Sequence, residues 1–316
     1  MRRKRGLPLN GWLIIDKPSG MTSTQVVGYA RRVLNAQKVG HAGTLDPLAT
    51  GVLPLAFGEA TKTIPYVMEG TKIYQFTLRF GESRDSDDAE GNVTGYSDVR
   101  PTNAQIQAVL PRLTGDILQR PPIFSALKIG GKRAYHMARQ GYVVELSPRL
   151  ARVKRFELTK RLNADTALFE VESGKGVYMR ALARDLALAC GTVGHIVALR
   201  RLQVGSFTQD RALGLDKLVF KDDTSFVPSD LLCSVEAALV DIPAVFLTRE
   251  EEVLSVRQGR SVPCIHLGSL SENKKRCLSS TTFVGDDIVR IMEGDRVIGI
   301  GRLVEGCLKP VRVFNF

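Results

Sequence analysis

The chain has 316 residues, of which 44% are hydrophobic and 24% charged, the balance of a folded protein with one or two cores and not of a disordered chain. Its net charge of +11 favours a polyanionic partner over a small neutral one. No apolar run approaches the roughly 20 residues of a membrane helix, and the basic start Met-Arg-Arg-Lys-Arg5 leads into Gly-Leu-Pro-Leu-Asn-Gly, which does not read as a secretory signal.

The five cysteines are scattered, odd in number and without a C-x-x-C pair, as expected of reduced thiols in a cytoplasmic protein. Cys264-Ile-His266 with Cys277 fits no standard zinc spacing, so no metal is expected.

Leu13-Ile-Ile15 reads as a short buried strand ending in the turn Asp16-Lys17-Pro18-Ser19-Gly20. By position alone Lys17 is a solvated turn lysine. Thr22 or Ser23 then caps a helix to about Leu34, with Val26, Val27, Ala30, Val33 and Leu34 at helical spacing.

Gly40-His-Ala-Gly-Thr-Leu-Asp-Pro-Leu-Ala-Thr-Gly51 follows, and its composition is hard to explain by folding alone. Glycines permit unusual backbone and close approach, while Pro47 stiffens the chain beside Asp46. Asp46 is either a helix N-cap with proline at the first helical position or a carboxylate presented on a stiff loop. The short distance from Pro47 to Gly51 leaves little room for a helix.

Residues 60 to 68 read as a helix interrupted by Pro65, and Thr71 to Phe80 alternates as a half-buried strand, with Tyr74 on its apolar face. The acidic stretch 81 to 91 lacks the spacing of a calcium loop and is expected to be solvated. An amphipathic helix spans Thr102 to Leu113.

Residues 120 to 141 mix prolines, a Gly-Gly pair, aromatics and bases, as a projecting functional loop with one short helix does. From Lys128 to Arg161 ten basic residues, among them Lys132 and Arg133, face only Glu145 and Glu157. Interleaved bases and rings suit an RNA surface, where cations meet phosphates and rings stack on bases.

Two strands, 150 to 162 and 167 to 171, precede a helix from Val177 to Ala189. Arg180 falls in the first turn of that helix, where the dipole disfavours a cation, so it is expected to have an anionic partner elsewhere. Residues 194 to 205 form strand and turn, with His195 structural. A polar stretch from 221 to 241 marks a boundary, and a charged helix (249 to 258) with several short strands beyond it suggests a small barrel.

Five blocks together resemble the bacterial TruB-type tRNA pseudouridine synthases: Gly11-Trp-Leu-Ile-Ile-Asp-Lys-Pro-Ser-Gly-Met21, the loop 40 to 51 with its following Leu-Pro-Leu, Lys72-Ile-Tyr74, Gly174-Lys-Gly-Val-Tyr-Met-Arg180 and Leu199-Arg-Arg-Leu202. They fall in family order across residues 11 to 205. The sequence Arg84-Asp85-Ser86 stands where a Thr-Asp-Thr-like run is expected, and the C-terminal part is similar by position and strand count more than by motif.

The resemblance implies an α+β fold: a mixed, largely antiparallel sheet flanked by helices over residues 1 to 240, followed by a PUA-like β-barrel over 241 to 316. It implies an isomerase acting on uridine 55 of the tRNA T-loop. Asp46 would attack the nucleoside, at C6 of the uracil or assisting at C1′, with Arg180 as its partner. Tyr74 would stack on the flipped base, His41 would enter the RNA near the vacated place, and Lys17 would support the site. Tyr178 and Leu199 would line the pocket. The insertion at 121 to 150, with Lys132 and Arg133, would grip the T-arm. Neither cofactor, membrane nor obligate protein partner is implied, and a monomer is expected. The alternatives are a tRNA-binding or tRNA-folding chaperone and a guide-RNA-dependent relative.

Overall fold

The computed structural model describes residues 6–125, 127–140, 142, 144, 146–218, 228–264 and 287–316, and for Lys128, Ile129, Lys132, Arg133, His136, Ala138, Arg139, Pro228 and Asp287 the backbone only. Strand β1 (Gly11–Lys17) leads into helix α1 (Ser23–Val33), which is started by a capping box between Thr22 and Gln25. Strands β2 (Val39–His41) and β3 (Thr50–Phe57) bracket the glycine-rich loop. Pro65 does not interrupt a helix: a 3-10 turn over Gly58–Thr63 precedes it, and it enters α2 (Ile64–Glu69) in the first turn, where its missing N–H is tolerated. Strand β4 (Lys72–Phe80) then leads to the short pair β5 (Glu82–Arg84) and β6 (Val93–Tyr96). Helix α3 (Asn103–Val109) stops short of the expected Leu113 because Pro111 follows and the chain tightens into a 3-10 turn.

Strand β7 (Gly115–Gln119) precedes the insertion, which holds the small ladder β8 (Lys128–Ile129) and β9 (Lys132–Arg133) and the single short helix α4 (Ala134–Arg139). The long hairpin β10 (Arg149–Arg161) and β11 (Thr166–Ser173) leads to α5 (Met179–Ala189) and β12 (Gly194–Val204). The short β13 (Phe207–Thr208) and β14 (Leu213–Gly214) complete the main sheet. Its strands run β14-β1-β3-β12-β4-β11-β10-β7, with β13 on β12 and β2 on β3. Only the pairs β1 with β14 and β3 with β12 are parallel, so the sheet is mixed and largely antiparallel.

The remaining elements are β15 (Ala244–Phe246), α6 (Glu250–Arg257), β16 (Val262–Pro263), β17 (Asp287–Glu293), β18 (Arg296–Val304) and β19 (Cys307–Val313). Their strands make a separate PUA-like sheet in the order β15-β17-β18-β19-β16.

Because side chains alternate along a strand, the main sheet has two apolar faces. Leu13, Ile15, Leu53, Phe76, Phe169 and Leu199 pack with α1, α3 and α5. On the other face, Trp12, Ile14, Val52 and Phe207 meet Ala244, Met292, Val297 and Phe314 of the C-terminal part. The alternation in β4 appears as read, with Phe76, Leu78 and Phe80 buried and Arg79 exposed. None of the described helices is long and apolar enough to cross a membrane.

Phe76, Phe156 and Phe169 form an aromatic triangle with centroids 5.4 to 6.0 Å apart. Phe169→Ala should lower unfolding stability by about 3–5 kcal/mol, the range for deleting a fully buried aromatic ring; urea denaturation showing less than about 1 kcal/mol would mean that the triangle is not core.

Candidate active site

Asp46 lies in the loop between β2 and β3. Its carbonyl accepts from Ala49 N–H at 3.1 Å, so Asp46-Pro47-Leu48-Ala49 is a β-turn with proline in its favoured second position. No helix follows, which decides between capping and presentation in favour of presentation.

The turn is tied down on both sides of the carboxylate. Ser23 Oγ accepts from Leu45 N–H at 2.9 Å and donates to Leu45 O at 3.1 Å. Pro47 O accepts from Gly20 N–H at 2.8 Å and from Lys17 Nζ at 3.1 Å. Lys17 also donates to the carbonyls of Pro18 and Met21. It is fully buried, which corrects the solvated-turn reading: β1 carries it under the loop, and three carbonyls satisfy its three donors. Burial pushes the Lys17 pKa down to about 8, against the opposing pull of Asp46.

Across the loop stands Arg180, in the first turn of α5 and 6% exposed. Its Nε lies 3.0 Å from Asp46 Oδ2, while the Asp46 side chain keeps 37% of its surface open to solvent. Arg180 Nη1 donates to Ser86 O at 2.9 Å and lies 3.5 Å from Asp88 Oδ2. Arg180 Nη2 donates to Phe124 O at 2.9 Å. The anionic partners expected from its awkward helical position are therefore present, and there are two.

The second one corrects a reading. The acidic stretch 81 to 91 is not solvated throughout, because Ser86, Asp87 and Asp88 are buried. Asp88 Oδ1 accepts from Ser86 Oγ at 2.6 Å and from Glu90 N–H at 3.1 Å. Asp87, held in the left-handed region at φ 61°, pairs with Arg184 of α5 at 2.8 Å. Burial raises the Asp87 pKa to about 6 despite Arg184 and Arg180. Partial desolvation, followed by the charges of Asp88 and Asp46, raises Glu90.

The other expected site residues are placed as follows. Tyr74 is half-buried on β4 and packs on the core beneath α5, in register with Val171 and Arg201. Tyr178 immediately precedes α5, and its backbone is clasped by Gln119, whose Oε1 accepts from Tyr178 N–H at 2.8 Å and whose Nε2 donates to Tyr178 O at 3.1 Å. Leu199 is buried on β12. It lines a cavity of about 360 Å³ with Ser19, Leu48, Thr50 and Phe76, and this cavity adjoins the loop without including Asp46.

His41 ends β2 half-buried, with a buried Nδ1 that has no hydrogen-bond partner. Burial and the charge of Arg201 lower its pKa. No hydrogen bond or ion pair joins Tyr74 or His41 to Asp46 among the described residues. The side chains of Lys132 and Arg133 lie outside what is described. His195 is buried against the Glu82 carbonyl at 2.8 Å, a structural role. No group of three or more His, Cys, Asp or Glu suited to a metal occurs among the described residues.

With this geometry in view, the relatives are informative. The model of the TruB family pseudouridylate synthase N-terminal domain matches residues 31–179, and that of the tRNA pseudouridylate synthase B C-terminal domain matches 180–240. A tRNA pseudouridine synthase B of Gluconacetobacter diazotrophicus is 58% identical over 99% of this chain and 100% of its own length. That of Rhodospirillum rubrum is 49% identical over 99% of both. The chain belongs to the TruB family. This family member is an enzyme, a pseudouridine synthase, and its fold agrees with that assignment. An H/ACA ribonucleoprotein structure bound to a substrate RNA containing 2′-deoxyuridine superposes with TM-score 0.73 at 23% identity, over 100% of this chain and 92% of that one. Sequence patterns did not single out Asp88 and Glu90, and they noted Ser23 only as a possible helix cap and Arg201 only as part of the block Leu199 to Leu202.

Asp87 gives the synthase a signed pH dependence. Its folded pKa of about 6 exceeds the ordinary aspartate value of 3.8, so the folded state holds the extra proton between these values and stability falls as pH rises through that window. The unfolding free energy of the unmodified protein minus that of Asp87→Asn, from urea melts, should therefore fall from about pH 4 to about pH 6 and then level off. A signed difference that rises with pH would contradict the assignment.

Proposed function

We propose that this synthase converts uridine 55 in the T-loop of tRNA to pseudouridine, with Asp46 as the carboxylate that reacts with the flipped-out nucleoside. The observation that carries the reading is the Asp46–Arg180 pair, a partly open carboxylate on a braced turn held by a buried guanidinium at 3.0 Å. Relatives spanning the whole chain and named tRNA pseudouridine synthase B support tRNA as the substrate.

The reaction breaks the C1′–N1 glycosidic bond and forms a C1′–C5 bond. The C5 proton leaves to solvent and N1 gains one, so composition is unchanged and no oxidant, reductant or cofactor is consumed. What the protein must supply is an oriented nucleophile and a confined site in which the detached base turns without escaping. Attack at C6 of the uracil and assistance at C1′ both need the Asp46 oxygen aimed at the nucleoside, and the Arg180 fork fixes that aim.

A uridine within a folded T-loop has to be extruded before it reacts. Tyr74 stacks on the extruded base, and its half-buried position on β4 leaves one side of the ring supported by core. His41, whose pKa is lowered by burial and by the charge of Arg201, enters the RNA where the base has left. Tyr178 and Leu199 contribute apolar wall, and Lys17 braces the turn from below. The insertion at 121 to 150, with Lys132 and Arg133, neutralises T-arm phosphates. The synthase works as a cytoplasmic monomer without an obligate protein partner.

Incubating the protein alone with a T-arm stem-loop carrying tritium at uracil C5 tests the reading. Tritium should be released by the unmodified protein and not by Asp46→Asn. Absence of release by the former would sink the stand-alone synthase, and undiminished release by the latter would sink Asp46.

The insertion is tested by salt. Charge reversal at Lys132 and Arg133 should weaken tRNA binding and flatten the slope of log affinity against log salt by roughly two. An unchanged slope would remove these residues from the interface.

A further inference from the structure

Arg201 is 1% exposed, yet no carboxylate pairs with it among the described residues. Its Nε donates to Val52 O at 2.8 Å, and its Nη2 donates to Gly43 O at 3.0 Å. These two carbonyls lie on opposite sides of Asp46, one before the turn and one after it. A buried, unpaired cation is a costly way to fill space, and an apolar side chain of similar volume is often neutral or better. A guanidinium, by contrast, is a flat fork that reaches two acceptors in fixed directions, which an ammonium does not do.

The glycines of the loop are shaped to this side chain and its strand. At Gly51, φ is 97° and an added Cβ would stand 2.2 Å from the Arg201 carbonyl oxygen. At Gly43, φ is 107° and an added Cβ would stand 3.3 Å from Arg201 Nη1. The backbone of β12 meets the far end of the loop at Gly51, its pairing partner, and the side chain crosses beneath the loop to reach the near end.

We propose that Arg201 is a positioning residue for Asp46. It clamps both ends of the aspartate loop to β12, and so fixes where the carboxylate stands relative to Arg180. The assignment rests on Asp46 being the reacting group. It also supplies the positive charge beside His41, whose pKa it helps to lower.

The test compares Arg201→Lys, Arg201→Met and the unmodified protein in tritium release at saturating T-arm RNA, with RNA affinity and thermal melting measured alongside. Both variants should bind RNA within about threefold of the unmodified protein while kcat falls about 10- to 100-fold, the effect of a small displacement of a reacting group. Lysine should rescue little, since an ammonium lacks the planar fork that fixes the directions of both contacts. A lysine variant with kcat within about threefold of the unmodified protein, or a fall in affinity that matches the fall in rate, would overturn the proposal. If neither variant folds, Arg201→Gln decides, because its amide removes the charged two-ended fork while keeping a polar side chain: kcat should fall with affinity retained, and an unchanged kcat overturns the clamp. Asp46→Asn in the same assay separates the two readings. Its inactivity alongside an active Arg201→Lys would remove the clamp alone, whereas its activity would remove the nucleophile and the clamp with it.

Discussion

Everything at this site depends on one buried guanidinium having more acceptors than it has charge. Arg180 meets Asp46, Asp88 and the carbonyls of Ser86 and Phe124. The carbonyls come from the acidic loop and the start of the insertion, so two separate stretches fix the plane of the fork before any substrate arrives. Burying the cation carries a desolvation penalty of several kcal/mol, offset only by well-placed anions and hydrogen bonds. The helix dipole at the start of α5 adds about 0.3–1 kcal/mol against it. Two carboxylates and two carbonyls outweigh that, which is why a cation is tolerated at a position that local physics disfavours.

The sheet makes this arrangement possible by bringing distant segments to one place. Strands β1 and β3 pair from Gly11 with Phe57 to Lys17 with Gly51, which sets Lys17 beneath the loop that β3 continues. Strand β12 lies between β3 and β4, so Leu199 and Arg201 reach the loop from one side while Tyr74 stands on the neighbouring strand. Helix α5 packs on the same face through Leu182 and Leu186, and its start is held by Gln119 at Tyr178. The site is therefore assembled on rigid elements, and only the turn carrying Asp46 needs separate bracing.

Parts of this were legible in the sequence, for identifiable reasons. The alternation of Lys72 to Phe80 reports a half-buried strand because burial has a period of two, and the misfit of Arg180 with the helix dipole reports a distant anion. Asp88 was not legible: in a run of Asp, Ser and Glu nothing distinguishes a carboxylate that meets an arginine more than 90 residues later in the chain. Lys17 was misread for the same reason, since its three acceptors are carbonyls, which leave no mark on residue identity. Arg201 sits in a Leu-Arg-Arg-Leu run where alternation with Arg200 gives no sign that one faces Asp16 and solvent while the other is buried. The helix ends near Pro65 and Pro111 shifted because proline is accepted in a first turn and excluded from an interior.

The two carboxylates on Arg180 differ in a way that matters for the proposed chemistry. The Asp88 side chain is 4% exposed and fastened by Ser86 and Glu90, whereas Asp46 is 37% exposed and held to Arg180 through one oxygen. In the proposed reaction Asp46 bonds to the nucleoside, and its negative charge would disappear there. A guanidinium with Asp46 as its sole anion would then be a buried unpaired cation, and forming the bond would carry that penalty in full. With Asp88 in place Arg180 keeps an anion throughout the cycle, so the energy of the bond-forming step does not include stripping the arginine of its partner. Fastening the inner carboxylate and leaving the outer one partly open would let Arg180 orient the proposed nucleophile without opposing its use.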